Sequence, residues 1–238
     1  MATEIKYNQE FVDLVSELIT INKSVVLEPC EDVGKICLSM ADGDKSISYT
    51  LSAPIENFHL EEPIAFYNFG EFYAFYKSIK NATLSLDGNK LIVRGDGSKI
   101  NYLLSDIEVV SEYKPKAVNF KNPNITFEVT AAVLSEMNKM IGLAKAKYVK
   151  IVSNLAKNVV TLKIYNGDSD HSAERRLPIT ETTNLDEDFE MDILSDHLQK
   201  IPSGKNYLFQ IASAKILKIS MISENDIDLN IFTARKKV

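Results

Sequence analysis

The sequence predicts an α+β protein of two similar domains, in which antiparallel sheets are covered on one face by helices. Three observations predict it. One strand, one helix and three further strands recur four times along 238 residues, at a period of roughly 60. Each helix carries a single apolar stripe. The strands after the helices are joined by tight polar turns, Asp-Gly among them, so they pair antiparallel. Such a sheet buries the face under its helices and leaves the helices' outer sides wet.

The first unit opens with the strand TEIKY, residues 3–7, and Asn8 is the expected N-cap of the helix in QEFVDLVSELITI. Phe11, Leu14, Val15 and Leu18 share one side of that helix, with Asp13 and Glu17 opposite. The strands SVVLEP, KICLSMAD and KSISYTLSA follow, with Asp42-Gly43-Asp44 as a hairpin signal. The second unit starts at PIAFYN, where Asn68 caps and Glu71 sits at the capping-box spacing. Its helix FGEFYAFYKSI is expected to bury Phe72, Phe75, Tyr76 and Ile79. ATLSLDG, NKLIVRGD and GSKINYLLS are then turned at Asp87-Gly88 and Asp96-Gly97.

The third unit runs from ITFEVT through a helix capped by Thr130, whose stripe is Val133, Leu134, Met137 and Ile141, into YVKIVSN, NVVTLKIYNG and AERRLPIT. The fourth runs DFEMD, then the helix ILSDHLQKI stopped by Pro202 and Gly204, then NYLFQIAS, KILKISMIS and DIDLNIFTA. In that last strand Ile227, Leu229 and Ile231 alternate with Asp228 and Asn230, as a half-buried strand requires. Between the second and third units SEYKPKAVNFKNPN has two prolines and no periodicity. The domains are therefore read as 1–110 and 125–238, joined by a connector at 111–124.

With 45% hydrophobic and 25% charged residues, the composition is that of an ordinary globular protein. No apolar run reaches membrane-span length, and MATEIKYNQEF lacks the basic segment and apolar core of a signal peptide. A cytoplasmic protein is expected, in the host's cytoplasm if the source is viral. Cys30 and Cys37 are the only cysteines, and they are expected to be idle thiols in a reducing compartment. Residues 1–110 hold 9 basic and 17 acidic residues, whereas 111–238 hold 18 and 16. That asymmetry hints at a polyanion-facing surface.

The ordered pattern resembles the DNA sliding clamps, and within them the processivity clamp of T-even-type bacteriophages. The residues that carry the likeness are ELITINKSVVL, the long segment NFGEFYAFYKSIKNATLSLDGNKLIVRGDGSKINYLLSD, and IPSGKNYLFQIASAKILKISM near the C-terminus. The resemblance implies the DNA-clamp fold, with helices inside and sheets outside. It also implies a subunit that closes head to tail into a homotrimeric ring around double-stranded DNA, without sequence preference. Such a ring tethers a DNA polymerase and is opened by an ATP-dependent clamp loader; it has no active site, cofactor or metal. Edge strands near SKINYLLS and AERRLPIT would join subunits, which places Lys99, Asn101, Arg175 and Arg176 at the interface. Clamp partners insert a short apolar segment beside the connector, for which Tyr113, Val118, Phe120, Ile231 and Phe232 are the candidates.

The acidic chain nonetheless gathers four lysines in SEMNKMIGLAKAKYVK, residues 135–150. Lys139 lies opposite the apolar stripe, and Lys145 and Lys147 extend past the helix end. If helices line the hole, these face phosphate, as do Lys77 and Lys80 on the second helix and Lys200 and Lys205 around the fourth. Arginine occurs only at 94, 175, 176 and 235. Lysine is a mobile, hydrated point charge where arginine is a rigid fork, and attraction without register suits sliding. The first helix departs from this pattern, since Glu10, Asp13 and Glu17 would repel phosphate.

Signals for catalysis are thin. Histidines stand at 59, 171 and 197 only, and His197 reads as a solvated surface residue beside Asp196. GDSDH, residues 167–171, has the make-up of a surface turn, and DEDFEMD, 186–192, reads as a solvated turn leading into a strand. No glycine-rich phosphate loop occurs. The alternatives are a two-domain protein-binding scaffold that never encircles DNA, a subunit of a hetero-oligomeric clamp, and a metal-dependent nuclease using the acids at 186–192.

Overall fold

The structure is a computed structural model that describes every residue except 1–3, 6–8, 31–33, 55–59, 61, 113, 116, 117, 119, 168–171, 184–186, 214 and 237–238. Asn8, His59, Tyr113, Asp168, Asp170, His171 and Asp186 therefore lie outside the described residues. The chain forms two units, one of residues 1–116 with 223–229 and one of 117–222 with 230–238.

In the first unit β1 (Glu4–Ile5) and α1 (Gln9–Leu18) precede β2 (Val25–Pro29), β3 (Lys35–Ala41) and β4 (Ile47–Pro54). Then come β5 (Ile64–Phe66), α2 (Phe69–Ser78), β6 (Thr83–Asp87), β7 (Lys90–Gly95), β8 (Ser98–Leu103) and a short α3 (Ile107–Ser111). The sheets run β1-β6-β7-β8 and β4-β3-β2-β5, all antiparallel. Each repeat thus lends its opening strand to the sheet of the other, so neither repeat is a closed module. Asp96 and Gly97 sit at φ 44° and 80°, the doubly left-handed turn that tight hairpins favour.

The second unit repeats the plan. It holds β9 (Ile125–Val129), α4 (Ala131–Ala144), β10 (Tyr148–Asn154), β11 (Val159–Tyr165), β12 (Ser172–Pro178) and β13 (Glu181–Thr182). After these come β14 (Glu190–Leu194), α5 (Ser195–Gln199), β15 (Tyr207–Ala212), β16 (Ile216–Met221) and β17 (Asp228–Ala234). One sheet runs β12-β11-β10-β14, and β13, β9, β15, β16 and β17 are consecutive neighbours in the other. Again β14 joins β10, and β9 joins β15.

The apolar stripes are buried as their spacing requires. Phe11, Leu14, Val15 and Leu18 are at most 2% exposed, and Val12 joins them. Val133, Leu134, Met137 and Ile141 form the α4 stripe. Under α2 the rings of Phe66, Phe69, Phe72 and Tyr102 cluster, Phe66 lying 4.9 Å from Phe72 and 5.2 Å from Phe69. Aromatic pairs at such spacings gain edge-to-face attraction beyond their buried area.

Four expectations need correcting. Phe75 is 38% exposed, because the cluster below α2 is already filled and Phe75 reaches it at its margin, 6.4 Å from the Tyr102 ring. The fourth helix is five residues long rather than nine. Ile193 and Leu194 stay in β14 opposite Val149 and Tyr148, and Pro202 follows the helix's last turn. His197 is buried, 3% exposed, with Nδ1 hydrogen-bonded to Thr233 Oγ1. Cys30 and Cys37 form a disulfide with Cα atoms 5.2 Å apart. The β2–β3 register, in which Glu28 faces Cys37 and the Cys30 N–H reaches the Lys35 carbonyl, sets the two sulfurs diagonally across one ladder.

Candidate nucleic-acid interface

Three of the expected phosphate-facing lysines belong to α4 and its end. Thr130 Oγ1 accepts the Val133 N–H at 3.3 Å, and Asn206 Oδ1 accepts the Ala131 N–H at 2.9 Å, so the helix start is capped twice. At the far end Lys145 adopts φ 48°, the left-handed conformation usually left to glycine or asparagine. Its N–H and that of Ala146 reach back to the carbonyls of Gly142 and Ile141. The Lys147 carbonyl accepts the Ser195 N–H at 3.1 Å, which fixes the following backbone against α5. Lys139, Lys145 and Lys147 are all exposed and make no ion pair among the described residues. Cations beside a helix C-terminus are also favoured by its dipole.

The other lysines are held differently. Lys77 pairs with Asp13 at 3.2 Å and lies 5.0 Å from the centre of the Tyr73 ring, while the Tyr73 hydroxyl donates to the same carboxylate at 2.5 Å. Hydrogen bonding to Tyr73, then to Asp13, holds the Lys77 ammonium above its ordinary pKa. The acidic first helix is thus partly neutralised by the second. Lys80 is exposed on the loop after α2, which β7 approaches so closely that a Cβ on Gly95 would run into the carbonyls of Lys80 and Asn81. Lys200 pairs with Asp196 at 2.8 Å, one turn earlier. Lys205 is half-buried on the turn after Gly204.

The residues expected at a subunit interface fall on sheet edges. Among the described residues β8 pairs only with β7, and β12 only with β11. Lys99 and Asn101 are exposed on β8, and Arg176 on β12. Arg175 reaches Glu136 of α4 at 3.4 Å, yet its Nε is buried with no partner. Exposed apolar side chains occur on or near these elements: Leu103 at 63% on β8, Phe75 beside Tyr102 of β8, and Leu143 at 88% on α4, the helix that packs against β12. Leu143 falls two residues past Ile141, off the stripe, a signal present in the sequence that the lysine-centred reading passed over.

Of the expected partner-binding residues, Phe120 and Phe232 stand edge to face at 6.4 Å, with Lys218 Nζ 5.9 Å from the Phe120 ring centre and Val118 half-buried nearby in sequence. Ile231 does not belong with them. It points into the core, fully buried, because strand alternation sends it to the face opposite Phe232.

The acids at 187–192 are used one at a time. Asp188 accepts the Leu155 N–H at 2.7 Å, Glu190 pairs with Lys150 at 2.9 Å, and Asp192 accepts the Tyr165 hydroxyl at 2.7 Å. Asp192 is buried rather than solvated, and burial followed by that hydrogen bond pushes Tyr165 up to about 12. Among the described residues no group of three His, Cys, Asp or Glu could hold a metal ion, and no helix is long and apolar enough to cross a membrane.

No protein-family model matches this chain, and no curated protein matches it in sequence. Solved structures do match, end to end. Proliferating Cellular Nuclear Antigen from Entamoeba histolytica has a TM-score of 0.77 at 16% identity, over 99% of this chain and 98% of that one. PCNA from A. fulgidus, solved with the C-terminal region of FEN-1, has 0.75 at 14% identity, over 100% and 99%. The Helicobacter pylori beta clamp, bound to a DNA ligase peptide, has 0.68 at 15% identity, over 100% of this chain and 67% of that one. The chain therefore has the α+β sliding-clamp fold.

Proposed function

We propose that this protein is a sliding clamp. Copies of it close head to tail into a ring around duplex DNA and tether a DNA polymerase to its template, raising the polymerase's effective concentration at the primer end. The observation that carries the reading is the placement of exposed lysines at the ends of α2 and α4 within a clamp fold matched from end to end. Attraction to phosphate that is electrostatic and without register holds DNA without reading it. The edges of β8 and β12, unpaired among the described residues, support head-to-tail pairing of one copy's first unit with the next copy's second unit. Lys99, Asn101, Arg175 and Arg176 then line the seam. A two-domain chain of this length fits a homotrimer, and the T-even-type phage clamp is the subfamily its sequence resembles.

The phenylalanine pair Phe120 and Phe232, with Val118, is the surface for a partner's short apolar segment. That clamps of this fold are found bound to such segments, a C-terminal region of FEN-1 in one structure and a DNA ligase peptide in the other, supports a peptide-binding surface of this kind. Tyr113 belongs to the same stretch of sequence. The protein acts in the cytoplasm, an ATP-driven loader opens the ring, and topology rather than catalysis is its contribution.

The test is the mass of the purified chain by light scattering, followed by retention on circular against linear DNA. A trimer that stays on circular DNA and runs off linear DNA is the expected result. A monomer at micromolar concentration, or equal retention on both forms, overturns the reading in favour of a scaffold that does not encircle DNA.

A further inference from the structure

We infer that the pocket between the end of α1 and the start of α2 is a stacking site for an unpaired nucleobase, with Tyr67 as its platform. The pocket has a volume of about 310 Å³, and its walls include Ile19, Ile21, Gly43 and Tyr67. Tyr67 is 58% exposed, on a backbone held by hydrogen bonds. Its carbonyl accepts the Ser24 hydroxyl at 2.8 Å, and the Phe69 N–H two residues on donates to the Lys23 carbonyl at 2.8 Å. Lys23 Nζ lies over the ring, 5.3 Å from its centre. An exposed ring on an anchored backbone beside a cation is an arrangement that stacks a base and attracts its phosphate.

Several polar groups in and beside the pocket serve the local backbone. Asn22 donates to the Ala41 carbonyl and accepts the Ser24 N–H, both at 2.9 Å. Asp42 accepts from Ile47 and Ser46, and Asp44 from the Ser46 N–H, so these carboxylates serve their own hairpin. The face of the exposed Tyr67 ring carries no donor or acceptor pattern, so stacking on it tolerates any sequence. An apolar peptide would gain nothing from Lys23. A base inside a duplex has both faces covered, so only an unpaired one can enter. In the proposed ring, whose existence this use presupposes, the occupant is an unpaired base of the tethered DNA.

The binding itself is measured on the free chain. The sequence has no tryptophan, so Tyr67→Trp installs a single indole reporter. Titration with an oligo(dT) of about ten nucleotides is expected to quench its emission, and Tyr67→Ala to weaken oligo(dT) binding about tenfold while Tyr67→Phe keeps it. With one lysine at the site, the salt slope of its contribution is shallow, about 0.7 for one single-strand phosphate. Absence of quenching, equal binding by Tyr67→Ala, or quenching by a leucine-rich peptide and not by oligo(dT) overturns the assignment. Retention of Tyr67→Ala on circular duplex DNA is read in parallel and stays at the unsubstituted level. If the unsubstituted chain itself fails on circular duplex, the clamp reading falls while the oligo(dT) result still decides this one.

Discussion

Removing the three unpaired cations of α4 tests the charge reading most directly. The variant is Lys139→Ala with Lys145→Gly and Lys147→Ala. Glycine suits position 145 because the backbone there is left-handed, and alanine suits 147 because only its carbonyl holds Ser195. Each lysine–phosphate contact contributes about 0.9 to the fall of log K with log salt, so three contacts contribute about 2.7. Between roughly 50 and 200 mM salt the unsubstituted protein should then lose about 40-fold more affinity for a short duplex than the variant loses. Asp13→Asn makes the opposite change. It releases Lys77 from its ion pair and should steepen the slope by about 0.9. Fluorescence anisotropy across that salt range measures both, with light scattering to show that the oligomer mass is unchanged. An unaltered slope in the triple variant, or in Asp13→Asn, would remove those residues from the path of the DNA.

Three further outcomes are expected. Phe120→Asp breaks the edge-to-face contact with Phe232 and should reduce polymerase stimulation before it reduces oligomer mass; the reverse order would assign Phe120 to structure. Cys30→Ser opens a staple that closes a loop of sequence separation 7. It should cost about 2 kcal/mol of unfolding free energy by denaturant titration, a difference that disappears when reductant is present throughout. Tyr165 is pushed up to about 12 in the folded chain. Because that lies above the unfolded value of about 10, its contribution is fully present below pH ~10 and is lost as the pH rises through about 12. Tyr165→Phe should flatten the stability curve across that window, and an unchanged alkaline slope would refute the assignment.

Much of the fold was legible because its signals are local. A 3.6-residue apolar stripe and a two-residue alternation cannot both be satisfied by one element, so helices and strands separate cleanly in the pattern. The Asp-Gly dipeptides at 87–88 and 96–97 mark turns with positive φ, and Thr130 and Asn68 cap where their spacing says they should. What escaped depends on contacts between distant residues. Nothing near Phe75 in sequence says that Phe66, Phe69, Phe72 and Tyr102 already fill the space beneath α2. Cys30 and Cys37 meet because of the β2–β3 register, and His197 is buried because Thr233, 36 residues away, faces it. The exchange of opening strands between repeats is likewise invisible to periodicity, which reports an element's type and not its neighbours. For the site, the lysines were legible as a set. The carboxylates that quiet Lys77 and Lys200 were visible only as charges of the wrong sign.

Those carboxylates bear on friction. A ring that travels along a duplex must leave one set of phosphates before it settles on the next, and every uncompensated ammonium deepens the well it has to climb out of. In the proposed ring, the ion pairs of Asp13 and Asp196 would make two of those wells shallower without removing their cations, favouring a fast one-dimensional walk over a long dwell at any one base pair.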